Sequence, residues 1–156
     1  MRLLFVCTGN TCRSAMAEAI AKRLAPEFGL TDIELGSAGT AAWEGAPASD
    51  GALLVALEND VDLSSHSARL LTRELVDQTD LILAMGPHHL ERLEALGGRG
   101  RAHLLSSYSS RGSSDRPIGD PFGGELSLYR ETFDELEREI RRTFGRLAAE
   151  RAPGVS

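Results

Sequence analysis

Cysteine is scarce in this sequence: of 156 residues only Cys7 and Cys12 carry a thiol, and both stand in one opening stretch. Thiols so placed cannot staple distant segments, so no disulfide framework holds the fold. Long apolar runs are missing too, and nothing approaches the roughly 20 residues needed to span a bilayer. Positive charge is in deficit, with 17 Lys and Arg against 23 Asp and Glu, which argues against nucleic acid or an anionic membrane as the main partner. His88, His89 and His103 have no Cys or carboxylate cluster beside them at zinc-ligand spacing, so they read as surface or satisfied histidines and no metal is expected. The chain opens on a strand rather than a signal peptide. These absences leave a cytoplasmic globular protein with one domain over residues 1–150 and a tail at 151–156, expected to be a monomer without a cofactor.

What is present is concentrated near the start. Leu3 to Val6 is a short apolar run that reads as a buried strand. Thr8-Gly9-Asn10 breaks the period with residues that tolerate left-handed backbone. From Ser14, Ala15-Met16-Ala17-Glu18-Ala19-Ile20-Ala21 is strongly helical. Cys7 therefore sits where a strand ends, a tight loop follows and a helix begins. Loop amides and the free N–H groups of a helix start converge there into an anion site, and the same dipoles favour a thiolate. Arg13 can return to the loop and grip a tetrahedral oxyanion with its rigid fork of donors. A lone Cys in this position would be only a small buried hydrophobe; Cys, Gly, Asn, Arg and Ser on one turn describe a phosphate cradle with a nucleophile at its floor.

The rest of the chain alternates strand and helix. A helix is expected from Arg13 to Leu24, with Met16, Ile20 and Leu24 on one face and Pro26 and Gly29 ending it. Strands follow at Ile33 to Ala38, Leu81 to Met85 and, more weakly, Ala102 to Leu105. A second helix near Ser49 should turn Leu53, Leu54 and Leu57 inward. Thr72 caps a short helix, and Gly86-Pro87 opens another that Gly97-Gly98 ends. Ser106 to Gly119 reads as surface loop. The last helix carries Leu126, Tyr129, Phe133, Leu136, Ile140, Phe144 and Leu147 on one stripe. The pattern predicts an α/β fold of three α/β/α layers around a four-stranded parallel sheet, with ligands bound beyond the carboxyl ends of the strands.

Cys-x5-Arg followed by Ser is the signature of Cys-dependent phosphatases. Standing at the start of the chain as Val6-Cys7-x-Gly9-Asn10-x-Cys12-Arg13-Ser14, it resembles the low-molecular-weight protein tyrosine phosphatase family. That family also carries a late Asp-Pro, matched by Asp120-Pro121, and the resemblance runs nearly end to end. It implies Cys7 as nucleophile forming a phosphocysteine, with Arg13 and the loop Thr8, Gly9, Asn10, Thr11, Cys12 and Ser14 holding the phosphoryl oxygens of a phosphorylated protein. By residue chemistry alone Asp120 is evenly a turn residue or a general acid; the resemblance favours the acid. Ser14 can donate to the thiolate or cap the helix. Ser37 and His66 match residues that support Asn10 in the family. Trp43 aligns with an aromatic at the pocket rim, although it could equally be packed.

Substrate class turns on two positions. Members acting on phosphotyrosine carry Ile where Thr11 stands and an aromatic pair after Asp-Pro, whereas this chain has Thr11 and Phe122-Gly123-Gly124. Both departures resemble the bacterial protein-arginine phosphatase branch: Ile packs on a phenyl ring, and a Thr hydroxyl can meet a planar guanidinium. Trp43 is more typical of the tyrosine branch, so phosphotyrosine stays the alternative. Arsenate reductases sharing this fold relay electrons through later cysteines, which this chain lacks. A non-catalytic phosphoprotein-binding module would need neither Cys7 nor Asp120. The two thiols of the loop are also placed to pair on oxidation.

Overall fold

The computed structural model describes residues 1–151. Four parallel strands form the sheet, β1 (Arg2–Cys7), β2 (Glu34–Gly39), β3 (Leu81–Ala84) and β4 (Ala102–Leu104), in the order β2-β1-β3-β4. The register aligns Cys7 with Gly39 and Phe5 with Leu83. Alternation along the central strands serves two cores. Leu3, Phe5, Leu81 and Leu83 face a large cluster with Met16, Ile20, Val55, Phe133 and Ile140. Leu4, Val6, Ile82 and Ala84 face a smaller one with Leu71, Val76 and Leu93. The first cluster is roofed by α1 (Arg13–Leu24), α2 (Asp50–Glu58) and α6 (Leu126–Arg151), the second by α3 (Arg73–Asp77) and α4 (Pro87–Ala95). The three expected layers are therefore present. The last described residue, Arg151, still belongs to α6; residues 152–156 of the expected tail lie outside the described residues.

Most elements fall where the sequence puts them. Met16, Ile20 and Leu24 are all buried, and Gly29 ends the 3₁₀ turn Ala25–Phe28 at φ 70°. Thr72 caps α3, its side chain accepting from the Leu75 amide at 3.2 Å. Two expectations are corrected. In α2 the inward residues are Ala52, Val55 and Ala56, while Leu54 and Leu57 are exposed and Leu53 is only half-buried. The cause is close approach to α6: a Cβ on Gly51 would lie 2.6 Å from the Tyr129 ring, so only the small-residue face fits there. The segment after β4 is also not all surface loop. Leu105–Ser109 forms α5, with Ser106, Tyr108 and Ser109 buried, because Arg146 of α6 donates to the Tyr108 carbonyl and stacks on its ring.

The strand order places β2 on one side of β1 and β3 on the other. Chain leaving β1 and β3 therefore diverges, and a crevice opens beyond their carboxyl ends. Cys7 is the last residue of β1 and faces that crevice's edge of the sheet.

Candidate active site

Residues 7–14 wrap the start of α1. Asn10 adopts φ 56°, a left-handed conformation that Asn tolerates better than most residues. Gly39 is needed beside it, since a Cβ there would stand 2.4 Å from the Thr8 carbonyl oxygen and 2.9 Å from the Asn10 nitrogen. No side chain caps α1: Cys12 holds the cap position without a side-chain bond, and Ser14, already inside the helix, turns elsewhere, so the capping role read for Ser14 is not taken. The first amides of the helix stay free toward the loop, the arrangement that attracts an anion.

Beneath the loop runs a chain of hydrogen bonds between side chains. The Ser37 hydroxyl donates to Glu18 Oε1 at 2.5 Å, which leaves its oxygen to accept from Asn10 Nδ2 at 2.9 Å. The other hydrogen of Asn10 Nδ2 goes to Ser14 Oγ at 2.7 Å. Ser14 Oγ is thus occupied as an acceptor, and its own hydrogen is available to Cys7 Sγ, 2.9 Å away. Asn10 Oδ1 accepts from the Arg69 amide, and His66 Nε2 donates to the Asn10 carbonyl at 2.6 Å. Ser37 and His66 therefore both reach Asn10. Asn10 and Ser14 are fully buried and act from below rather than on the substrate face.

Above this chain lies a cavity of about 210 Å³ lined by Cys7, Thr8, Gly9, Thr11, Cys12, Arg13, Asp120 and Phe122. Arg13 is buried and donates from Nη1 to the Ile118 carbonyl at 3.1 Å, while Nη2 stands 3.6 Å from Asp120 Oδ2. Asp120 also accepts from the Phe122 amide, closing its own turn. The turn reading and the cavity reading of Asp120 thus hold together. Cys12 has partners of its own, with Sγ 3.1 Å from Ser49 Oγ and 3.7 Å from Tyr129 Oη; both thiols are free. Trp43 is 84% exposed and does not line the cavity, so its packed reading is corrected: its loop, hydrogen-bonded through Thr40 and Ala41 to Cys7 and Thr8, leaves the ring in solvent.

One residue of the site escaped the sequence. His89 is neither a surface histidine nor a satisfied one. It is fully buried, with Nε2 2.8 Å from Thr8 Oγ1 and Nδ1 without a partner. Burial lowers its pKa from the ordinary 6.5 to about 4, with His88 and Arg13 acting the same way and Asp120 against it. Its only sequence signal is its place just after Gly86-Pro87, at the start of the helix following the third strand.

Three kinds of likeness bear on this arrangement. A family model for the low molecular weight phosphotyrosine protein phosphatases matches residues 2–152. The chain is 37% identical over 151 residues to a protein-arginine-phosphatase of Bacillus subtilis (strain 168), covering 97% of this chain and 99% of that one. It is 38% identical over 137 residues to the low molecular weight protein-tyrosine-phosphatase PtpB of Staphylococcus haemolyticus (strain JCSC1435), covering 87% and 92%. Among solved structures, a mutant of the YwlE arginine phosphatase with a phosphorylated active-site serine superposes with a TM-score of 0.89 at 35% identity, covering 100% of both chains.

Proposed function

We propose that this chain, which belongs to the low molecular weight phosphotyrosine protein phosphatase family, removes the phosphoryl group from phosphorylated arginine side chains of proteins. It is a protein phosphatase, and the observation that carries the finer reading is Thr11. Its side chain is part of the cavity wall that Asp120 and Phe122 complete, and its hydroxyl has only a sulfur contact, Cys12 Sγ at 3.8 Å. A guanidinium entering the cavity brings several N–H donors, and Thr11 Oγ1 and the carbonyl oxygen of the Asp120 carboxyl group can accept them. The relatives of B. subtilis and Geobacillus stearothermophilus that bear the name protein-arginine-phosphatase support this reading.

The chemistry follows from the placement of groups. The phosphoryl group sits over Cys7, its oxygens held by the loop amides and the Arg13 fork. Cys7 thiolate attacks phosphorus, the P–N bond breaks, and Asp120 gives its proton to the departing guanidine nitrogen. Asp120, now a carboxylate, takes a proton from water, which attacks the phosphocysteine. The P–S bond breaks, releasing phosphate and returning the thiolate, which Ser14 steadies with its hydroxyl hydrogen. The cycle calls for no cofactor or metal.

Phosphotyrosine remains as a second reading because Phe122, which lines the cavity with Asp120, is exposed, a surface that a phenyl ring would cover. Hydrolysis of phosphoarginine protein and phosphotyrosine protein by the same preparation decides the matter; a kcat/KM favouring phosphotyrosine would make that residue the substrate instead. We further infer a cytoplasmic monomer that handles no nucleic acid. Among the described residues no helix is long and apolar enough to cross a membrane, and the net charge of −6 disfavours polyanions.

A further inference from the structure

His89 has no task in the cycle above, yet it is the one described residue with a buried side-chain polar atom lacking any partner. It lies in the first turn of α4, the helix that follows β3, whereas Thr8 follows β1. Their 2.8 Å contact therefore closes across the crevice where the strand order reverses. Thr8 in turn lines the cavity with Cys7 and Arg13.

Burial decides which way this hydrogen bond runs. With the ring proton on Nδ1, Nε2 would accept from the Thr8 hydroxyl and Nδ1–H would be an orphaned buried donor, which native structures rarely tolerate. With the proton on Nε2, only a lone pair is left bare. A second proton is opposed by burial, by the exposed His88, whose ring lies 3.8 Å from that of His89, and by Arg13; Asp120 is the one acid acting the other way.

We propose that His89, neutral and protonated on Nε2, is a positioning residue that occupies Thr8 Oγ1 as an acceptor and so turns the Thr8 hydroxyl hydrogen into the cradle, where it donates to a phosphoryl oxygen. Ser14 is set toward Cys7 in the same manner by Asn10. Two hydroxyls at the two ends of one loop are thus aimed from outside it. The proposal rests on the loop being the phosphate cradle, and it is indifferent to whether arginine or tyrosine carries the phosphate.

The test uses p-nitrophenyl phosphate for turnover and inorganic phosphate as competitive inhibitor, so it is independent of the protein substrate. His89→Leu should lower kcat/KM and weaken phosphate inhibition roughly tenfold, the worth of one hydrogen bond to a charged group. Thr8→Val should do the same, and the double variant should be no worse than either single one. His89→Gln, whose amide can donate to Thr8, should recover most of the loss. Nitrogen NMR of the folded wild type should show neutral His89 with its proton on Nε2 at neutral pH. A proton on Nδ1, an imidazolium at neutral pH, or fully additive losses in the double variant would overturn the proposal. Should His89→Leu fail to fold, Thr8→Val and the NMR tautomer decide it. If wild type released no p-nitrophenol while binding phosphate normally, the catalytic cycle would fall and the phosphate-inhibition arm would still judge His89.

Discussion

The binding loop at residues 7–14 and the segment at 111–124 that carries Asp120 meet at one cavity but are built in opposite ways. In the first, Cys7, Asn10, Arg13 and Ser14 are all buried and each has a defined partner. In the second, Asp120, Phe122 and most of the glycine- and serine-rich approach are exposed. Ile118 is its buried anchor, its amide donating to the Met85 carbonyl and its carbonyl accepting from Arg13. A cradle that must stabilise a highly charged group gains from donors fixed in advance. An acid that must follow a leaving group of variable size gains from standing on an exposed loop. Arg13 belongs to both, since one edge of its guanidinium fixes the loop through Ile118 and the other faces Asp120.

Substitutions should separate the two halves. The largest effect belongs to the ordered half: Cys7→Ser should abolish phosphate release from any substrate, because no base stands by to activate a hydroxyl there. Arg13→Lys should nearly do so, since a point charge replaces neither the fork nor the tie to Ile118. Measurable steady-state turnover in Cys7→Ser would remove the covalent step.

In the loose half, Asp120→Asn should slow turnover by about 10²–10⁴-fold, most for poor leaving groups, while inorganic phosphate still inhibits with near wild-type strength. An equal loss on activated and unactivated esters would show that protonating the leaving group is not its work, and would erase the division of labour.

Acid should strike the ordered half. His89 has a folded pKa of about 4, below the ordinary 6.5, so between those values the unfolded chain binds the extra proton. Its contribution is intact above pH 6.5 and is lost as pH falls toward 4, about 3 kcal/mol in all at 1.36 kcal/mol per unit. Denaturant unfolding across this window should show a steeper loss for wild type than for His89→Gln. Parallel curves would mean that the histidine does not hold the loop neutral from behind.

The smallest effect should come at the seam between the halves. Thr11→Ile keeps a β-branched side chain and so disturbs the backbone little, but it sets an apolar group against any guanidinium in the cavity. An unmet donor costs about 1–3 kcal/mol. The ratio of kcat/KM for phosphoarginine over phosphotyrosine should therefore fall roughly tenfold or more. An unchanged ratio would make Thr11 a loop residue and leave Trp43 and Phe122 as the guides to substrate.

The sequence by itself determined the layered sheet, the place of Cys7 at a strand end, and Arg13 at the start of a helix. Each of these rests on local signals: an apolar run, residues that tolerate a left-handed turn, and a helical period. Only the tertiary structure decided which face of α2 turns inward, because that depended on Tyr129 of α6 lying over Gly51. It likewise decided that Ser14 aims at Cys7 rather than capping α1, and that Trp43 stands in solvent. His89 was the least legible, since its partner lies 81 positions away across the crevice. A histidine's burial and its proton are set by what the fold packs around it, and no local pattern records that.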